Sequence, residues 1–154
     1  MRHRSVLLVA LLIVIALFYR YAYLIRGGVA AELVTRARKP AVQPFRLTDI
    51  ATFAWDRVVF LGPYGNQTVA DEALGFHWSD FRLFGLESSD GFGLIVFASG
   101  DNVVRAEKVG RCRPDFAKEL TGTAVVRLNA IFAIENTGDC RVLKLANELP
   151  PMGH

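Results

Sequence analysis

The sequence predicts an α+β protein in which an N-terminal transmembrane helix precedes a small domain with a mainly antiparallel sheet and two or three short helices. Three observations carry this. Residues 6–25 form a 20-residue apolar run with one charge, Arg20. After residue 45, short β-branched and aromatic runs are separated by Gly, Pro, Asn and Asp. These runs show no strand-helix-strand rhythm, which argues against a doubly wound parallel sheet.

The chain has 154 residues, so an anchor leaves roughly 110 for one modest core. The 52% hydrophobic content is concentrated at the N-terminus, and so is the charge. Residues 1–40 contain Arg2, Arg4, Arg20, Arg26, Arg36, Arg38 and Lys39 against Glu32 alone, a net +6, which leaves −3 on the remainder of a chain whose total is +3. A mildly acidic domain has no basic face for a nucleic acid, so nucleic-acid binding is excluded as a function class.

Residues 1–26 read as an uncleaved signal-anchor. A secretory signal peptide needs small residues just after its apolar region, whereas Tyr19, Arg20, Tyr21, Tyr23 and Arg26 follow here. Twenty apolar residues span roughly 30 Å of hydrocarbon, and the tyrosines suit the interfacial belt. Membrane lipid is therefore the first expected partner, through residues 6–25. Residues 27–44 read as a basic juxtamembrane linker, 45–149 as the extracytoplasmic domain and 150–154 as a tail. A count of positive flanks alone would put the domain in the cytoplasm. The export-signal layout and the paired cysteines favour the periplasmic side of a bacterial inner membrane; a cleaved, soluble periplasmic form is the other alternative.

Within the domain, Thr48 or Asp49 is a candidate cap for a short helix or turn. The run 57–64, Arg-Val-Val-Phe-Leu-Gly-Pro-Tyr, is apolar on both faces, as a central strand is, and Pro63 should end it. Asn66 or Thr68 should cap a short helix that Gly75 stops. Residues 76–91 read as loop with a helical turn. Gly100-Asp101 suits the tight turn of a hairpin. Ala124, Val126, Leu128, Ala130, Phe132 and Ile134 alternate as one apolar face of a strand, or of two strands broken near Asn129. Asn136 to Asp139 then turn the chain into a final strand opened by Cys140.

Cys112 and Cys140 are the two cysteines of the chain, and an even pair in an exported domain reads as a disulfide. Closing that loop stabilises by roughly 3.5 kcal/mol on the chain-entropy argument. No metal site is expected: His3 and His154 lie at the ends, and His77 alone lacks the companions of a three-ligand zinc site. No cofactor motif is present. His77 with Ser79, Asp80, Ser88, Ser89 and Asp90 supplies hydrolase residue types but no nucleophile elbow, so His77 is read as a partly buried structural residue. Trp55, Asp56, Arg57, Tyr64 and Trp78 are the candidate partner-binding residues, since Trp, Tyr and Arg dominate interface hot spots.

The segments "FRLTDIATFAWDRVVFLGPYG", "ALGFHWSD" and "SSDGFGLIVFASGDNVVRAEKVGRCRPDF" together resemble a set of small, uncharacterised bacterial lipoproteins and membrane-anchored envelope proteins. Their shared mark is a Trp-Asp-Lys/Arg strand that ends in Gly-Pro-Tyr. The likeness covers about half of the chain and implies an envelope location and a small α+β fold. It carries no catalytic residues across. Many members are tethered by a lipidated cysteine, which this N-terminus lacks, so here the apolar segment must do the tethering. The expected function is binding to a protein or envelope component without catalysis; an inhibitor or immunity-type binder of a hydrolase, and a small hydrolase using His77, are the alternatives.

Overall fold

The structure, a computed structural model, describes residues 11–17, 28–39 and 43–147. From residue 28 onward they build a small α+β domain of two four-stranded, mainly antiparallel sheets. One sheet has the order β4-β3-β2-β6, with β2 Arg57–Leu61, β3 Phe92–Ser99, β4 Asn102–Gly110 and β6 Ala124–Val126. The other has the order β1-β7-β8-β5, with β1 Phe45–Arg46, β5 Asp115–Phe116, β7 Ile131–Thr137 and β8 Cys140–Leu145; its β5/β8 pair is parallel.

The central strands β2 and β3 of sheet β4-β3-β2-β6 are buried on both faces, which is why they read as unbroken apolar runs. One face, with Val58, Phe60, Ile95 and Phe97, packs towards Phe132 and Leu143 of the second sheet. The other, with Val59, Leu61, Leu94 and Val96, is covered by helix α2 (Gln67–Leu74) and the 3₁₀ turns Phe81–Phe84 and Leu86–Ser88. Asn66 caps α2 by accepting a hydrogen bond from the Val69 amide, and Gly75 ends it at φ 79°, a conformation glycine adopts without a Cβ penalty. Gly100 turns the β3-β4 hairpin at φ 54°.

Residues 124–134 differ from the single apolar face expected of them. A 3₁₀ turn, Arg127–Asn129, interrupts the alternation and carries the chain from one sheet to the other. It reverses the phase: Val125 is buried before the turn and Ala130, Phe132 and Ile134 after it, while Leu128 is 85% exposed. The turn is fixed at both ends, by Arg127 N–H to Asp56 O at 2.8 Å and Leu47 N–H to Ala130 O at 2.8 Å.

The segment expected as a linker contains a docked helix, α1 (Gly28–Ala37). Val29, Ala30, Leu33 and Ala37 line one helical face and are buried in the core between the sheets. The folded unit thus takes in Gly28 onward rather than starting at Phe45. Residues 11–17 are helical with exposed apolar side chains. Among the described residues no helix is long and apolar enough to cross a membrane. The rest of the expected spanning segment, 6–10 and 18–25, and the tail 150–154 lie outside the described residues.

Candidate functional site

The Trp-Asp-Arg entry to β2 is structural in its contacts. Trp55 is 3% exposed, packs edge-on against Phe97 at 5.3 Å and donates its indole N–H to Ala51 O. Asp56 accepts the Gly100 amide. Arg57 donates to Gly100 O at 2.8 Å and to Leu74 O at 2.7 Å, closing the hairpin turn and the last carbonyls of α2 together. Trp78 is buried against Phe81 and Phe84. The expectation of partner contact at Trp55 and Trp78 is corrected accordingly: both indoles are buried, Trp55 in the core between the sheets and Trp78 in the layer under α2 and the 3₁₀ turns, so neither is presented to a partner.

His77 is also placed differently from expectation. Its side chain is 70% exposed, and Nδ1 lies 2.7 Å from Asp71 Oδ2. Ser79 turns its hydroxyl to Asp80, Ser88 turns to Gly85 O, and Ser89 accepts the Gly91 amide. The nucleophile-base contact of a hydrolase triad is therefore not among these bonds. Asp71 instead organises the C-terminal side of α2. Burial acts to raise its pKa, but hydrogen bonds from the Trp78 amide, His77 and Gln67 outweigh this and hold the carboxyl below its ordinary value.

Tyr64 remains, and it forms the rim of a cleft. The Gly65 amide bonds back to Gly62 O at 3.1 Å, closing a turn in which Pro63 takes the second position and Tyr64 the third at φ 60°. That geometry fits a type II turn, whose third position normally takes glycine. A tyrosine there carries a strain of order 1–3 kcal/mol, and the residue is 62% exposed. The Tyr64 amide is held by Ser89 O.

The cleft encloses about 310 Å³ between this turn and the loop joining β4 to β5, at the lower end of the range of small-molecule sites, about 300–1,000 Å³. Phe116 and Val109 give it apolar wall, Thr121 lies beside Gly62, and Arg111 and Asp115 pair at 2.9 Å on its edge. Gly93 lies under Phe116, where a Cβ would meet the ring at 2.6 Å and Leu61 O at 2.8 Å. Asp115 also accepts the Cys112 amide at 3.0 Å, so one carboxylate fixes the loop from two sides. Cys112 and Cys140 form a disulfide with Cα atoms 4.5 Å apart, tying that loop to the start of β8.

The cleft thus carries one guanidinium, Arg111, paired with one carboxylate, Asp115, and aromatic rings at its rim and wall, Tyr64 and Phe116. Cys112, Asp115 and Cys140 bring three ligand-type atoms within 4.8 Å of one another. Two of them are sulfurs bonded to each other, which leaves no thiolate for a metal.

Two groups that organise the domain escaped sequence reasoning. The Arg111/Asp115 pair had a visible signal, opposite charges four residues apart beside a cysteine. Glu107 had none: it is fully buried on β4 and accepts the Ala30 amide at 2.6 Å, 77 residues away in sequence. Burial raises its pKa above the ordinary value, partly offset by the amides of Ala30, Val29 and Gly28 and by Arg105. Searches among protein families, curated proteins and solved structures find no match to this chain.

Proposed function

We propose that this chain is a membrane-anchored, extracytoplasmic binding protein of the bacterial envelope, tethered through residues 6–25 and engaging a protein or envelope partner at the Tyr64 cleft, with no catalytic centre of its own. The observation that carries the reading is Tyr64: an exposed aromatic ring kept at a strained turn position that glycine would occupy at lower cost. The disulfide supports an oxidising compartment, and the apolar N-terminal run supports the tether.

Topology is tested by labelling intact spheroplasts with a membrane-impermeant maleimide. Labelling of Cys112 and Cys140 that needs reductant but not permeabilisation supports the reading; labelling only after permeabilisation contradicts it. An inhibitor or immunity-type binder is one form of the same activity, and co-purification with a hydrolase that the domain suppresses would identify it. A hydrolase centred on His77 predicts loss of activity in His77→Ala, whereas the binding reading predicts no change in partner capture.

A further inference from the structure

The two ends of sheet β4-β3-β2-β6 differ in what they carry. Register sets Val126, Arg57, Ala98 and Val103 side by side at the end where the β3-β4 hairpin turns. The Tyr64 turn, Gly93 and Arg111 lie at the opposite end, where β2 and β4 stop and β3 begins. Ala98 and Gly93 are five residues apart along β3, which separates the two ends by roughly 17 Å at about 3.4 Å per residue. The hairpin end is apolar at its surface: Val126 is 51% exposed, and Leu128, on the 3₁₀ turn, 85%. Leu145, 45% exposed, pairs with Phe132 at the end of the second sheet into which this turn leads. Among the described residues of the domain, the other large apolar side chains in solvent are Tyr64 and Leu83. Exposed apolar residues are ordinary when scattered singly, whereas several gathered at one end mark an interaction surface. The charges beside them balance, Arg57 and Arg127 against Asp56 and Asp101, so this end offers apolar contact without net charge.

Chain length decides what lies next to this end. Helix α1 starts beside Arg105, where a Cβ on Gly28 would meet Nη1 at 3.9 Å, and it ends beside Cys112 and Arg113, past the far end of β4. The helix thus enters the domain from the hairpin side and runs towards the Tyr64 end. From Arg105 the contacts continue through Phe53, at 4.0 Å from the guanidinium, to Phe97, Trp55 and Arg127, the residue before Leu128. Arg26 and Gly27 separate Gly28 from Ile25, the end of the apolar run. Those three Cα steps span roughly 11 Å at full extension. The headgroup layer is about 5–8 Å deep on each side of the hydrocarbon. A tether through residues 6–25 therefore holds the hairpin side of the domain against the lipid surface.

We propose, resting on the tether of the preceding section, that the Leu128 end of the domain lies on the bilayer that holds the anchor. Val126, Leu128 and Leu145 enter the boundary between headgroups and acyl chains, and the Tyr64 cleft faces away from the lipid. Apolar side chains at this depth hold interfacial proteins on a membrane in proportion to the apolar area they bury. The short reach from Ile25 puts lipid, rather than a second copy of the chain, beside the patch. Because the charges at this end balance, neutral phosphatidylcholine suffices.

The test uses the full chain, labelled with ¹⁵N, in phosphatidylcholine nanodiscs with and without a phosphatidylcholine spin-labelled at its headgroup. The spin label should remove the amide signals of residues 126–129 and 99–101 and spare those of Gly93 and Arg111. Leu128→Asp, at an exposed position, should restore the signals of 126–129 while the chain stays in the disc; Leu83→Asp should leave the wild-type pattern unchanged. A chain that does not co-elute with the disc overturns the tether and this proposal with it. A retained chain that loses signal evenly over the domain, or whose pattern Leu128→Asp leaves unchanged, overturns the docking alone; so does an equal effect of Leu83→Asp. Shielding of residues 126–129 from a soluble gadolinium chelate without loss from the lipid label would show that a protein covers the patch, and this too overturns the docking.

Discussion

The Glu107 carboxylate accepts the Ala30 amide at 2.6 Å, so the first turn of α1 is capped by a residue of β4 rather than by its own flank. This bond docks the helix that follows the expected anchor onto the domain. Glu107→Ala leaves buried amides without an acceptor and should cost about 1–3 kcal/mol in urea unfolding. Hydrogen exchange should show the extra opening concentrated in residues 28–37.

The same carboxyl gives a signed pH dependence. Its native pKa lies above the ordinary value of 4.5 because burial disfavours the charge. The folded state therefore holds this proton more tightly than the unfolded chain does. The corresponding stability is complete below about 4.5 and is lost as pH rises through the raised native value. Measured from pH 4 to 8, Glu107→Gln should gain on the wild type as pH rises; a constant difference would refute the assignment.

Asp71 acts with the opposite sign. Its pKa is lowered against the burial that would raise it, so its contribution is present above about 3.8 and lost as pH falls through the lower native value. Asp71→Ala removes the acceptor of the Trp78 amide and should destabilise by about 1–2 kcal/mol at neutral pH. His77→Ala, at an exposed side chain, should change stability by less than about 0.5 kcal/mol.

The cleft floor is tested by Gly93→Ala. The added methyl would sit 2.6 Å from Phe116 and 2.8 Å from the Leu61 carbonyl, and the backbone atom has no rotamer to yield with. Overpacking of this kind should cost about 1–3 kcal/mol in thermal or urea unfolding, together with shifted resonances at Tyr64 and Phe116.

Removing the disulfide with Cys112→Ser/Cys140→Ser should lower stability by about 2–4 kcal/mol, since the loop it closes holds β5, β6 and β7 and so reaches both sheets. The same change frees the loop at the edge of the Tyr64 cleft, so hydrogen exchange at residues 111–116 should rise more than in α2.

Much of the fold was legible because it rests on local chemistry. Asn66 and Gly75 bound α2, Gly100 turns the hairpin, and the apolar run of β2 marks a strand buried on both faces. The lost parts depend on contacts distant in sequence. Leu128 fits an alternating face, yet the three-residue 3₁₀ turn at Arg127–Asn129 shifts the phase and leaves it in solvent. The spacing of Val29, Ala30, Leu33 and Ala37 suits a helix, but its cap lies on another strand, so basic flanks and Pro40 made the segment read as a linker. At the site, Tyr64 belongs to the Gly-Pro-Tyr-Gly signal. The tryptophans have the chemistry of interface residues, but burial decides whether such a side chain meets a partner, and both are in the core.

The binding claim is tested most directly at position 64, by comparing two substitutions with opposite demands. Tyr64→Gly relieves the positive-φ strain, so it should leave stability within about 1 kcal/mol of wild type or raise it. A photo-crosslinking residue at position 64 should give a discrete adduct in intact cells, where the same residue at exposed Leu83 gives none and unlabelled Tyr64→Gly protein fails to compete. Identical adduct patterns from positions 64 and 83, or full competition by the Tyr64→Gly protein, would contradict the account.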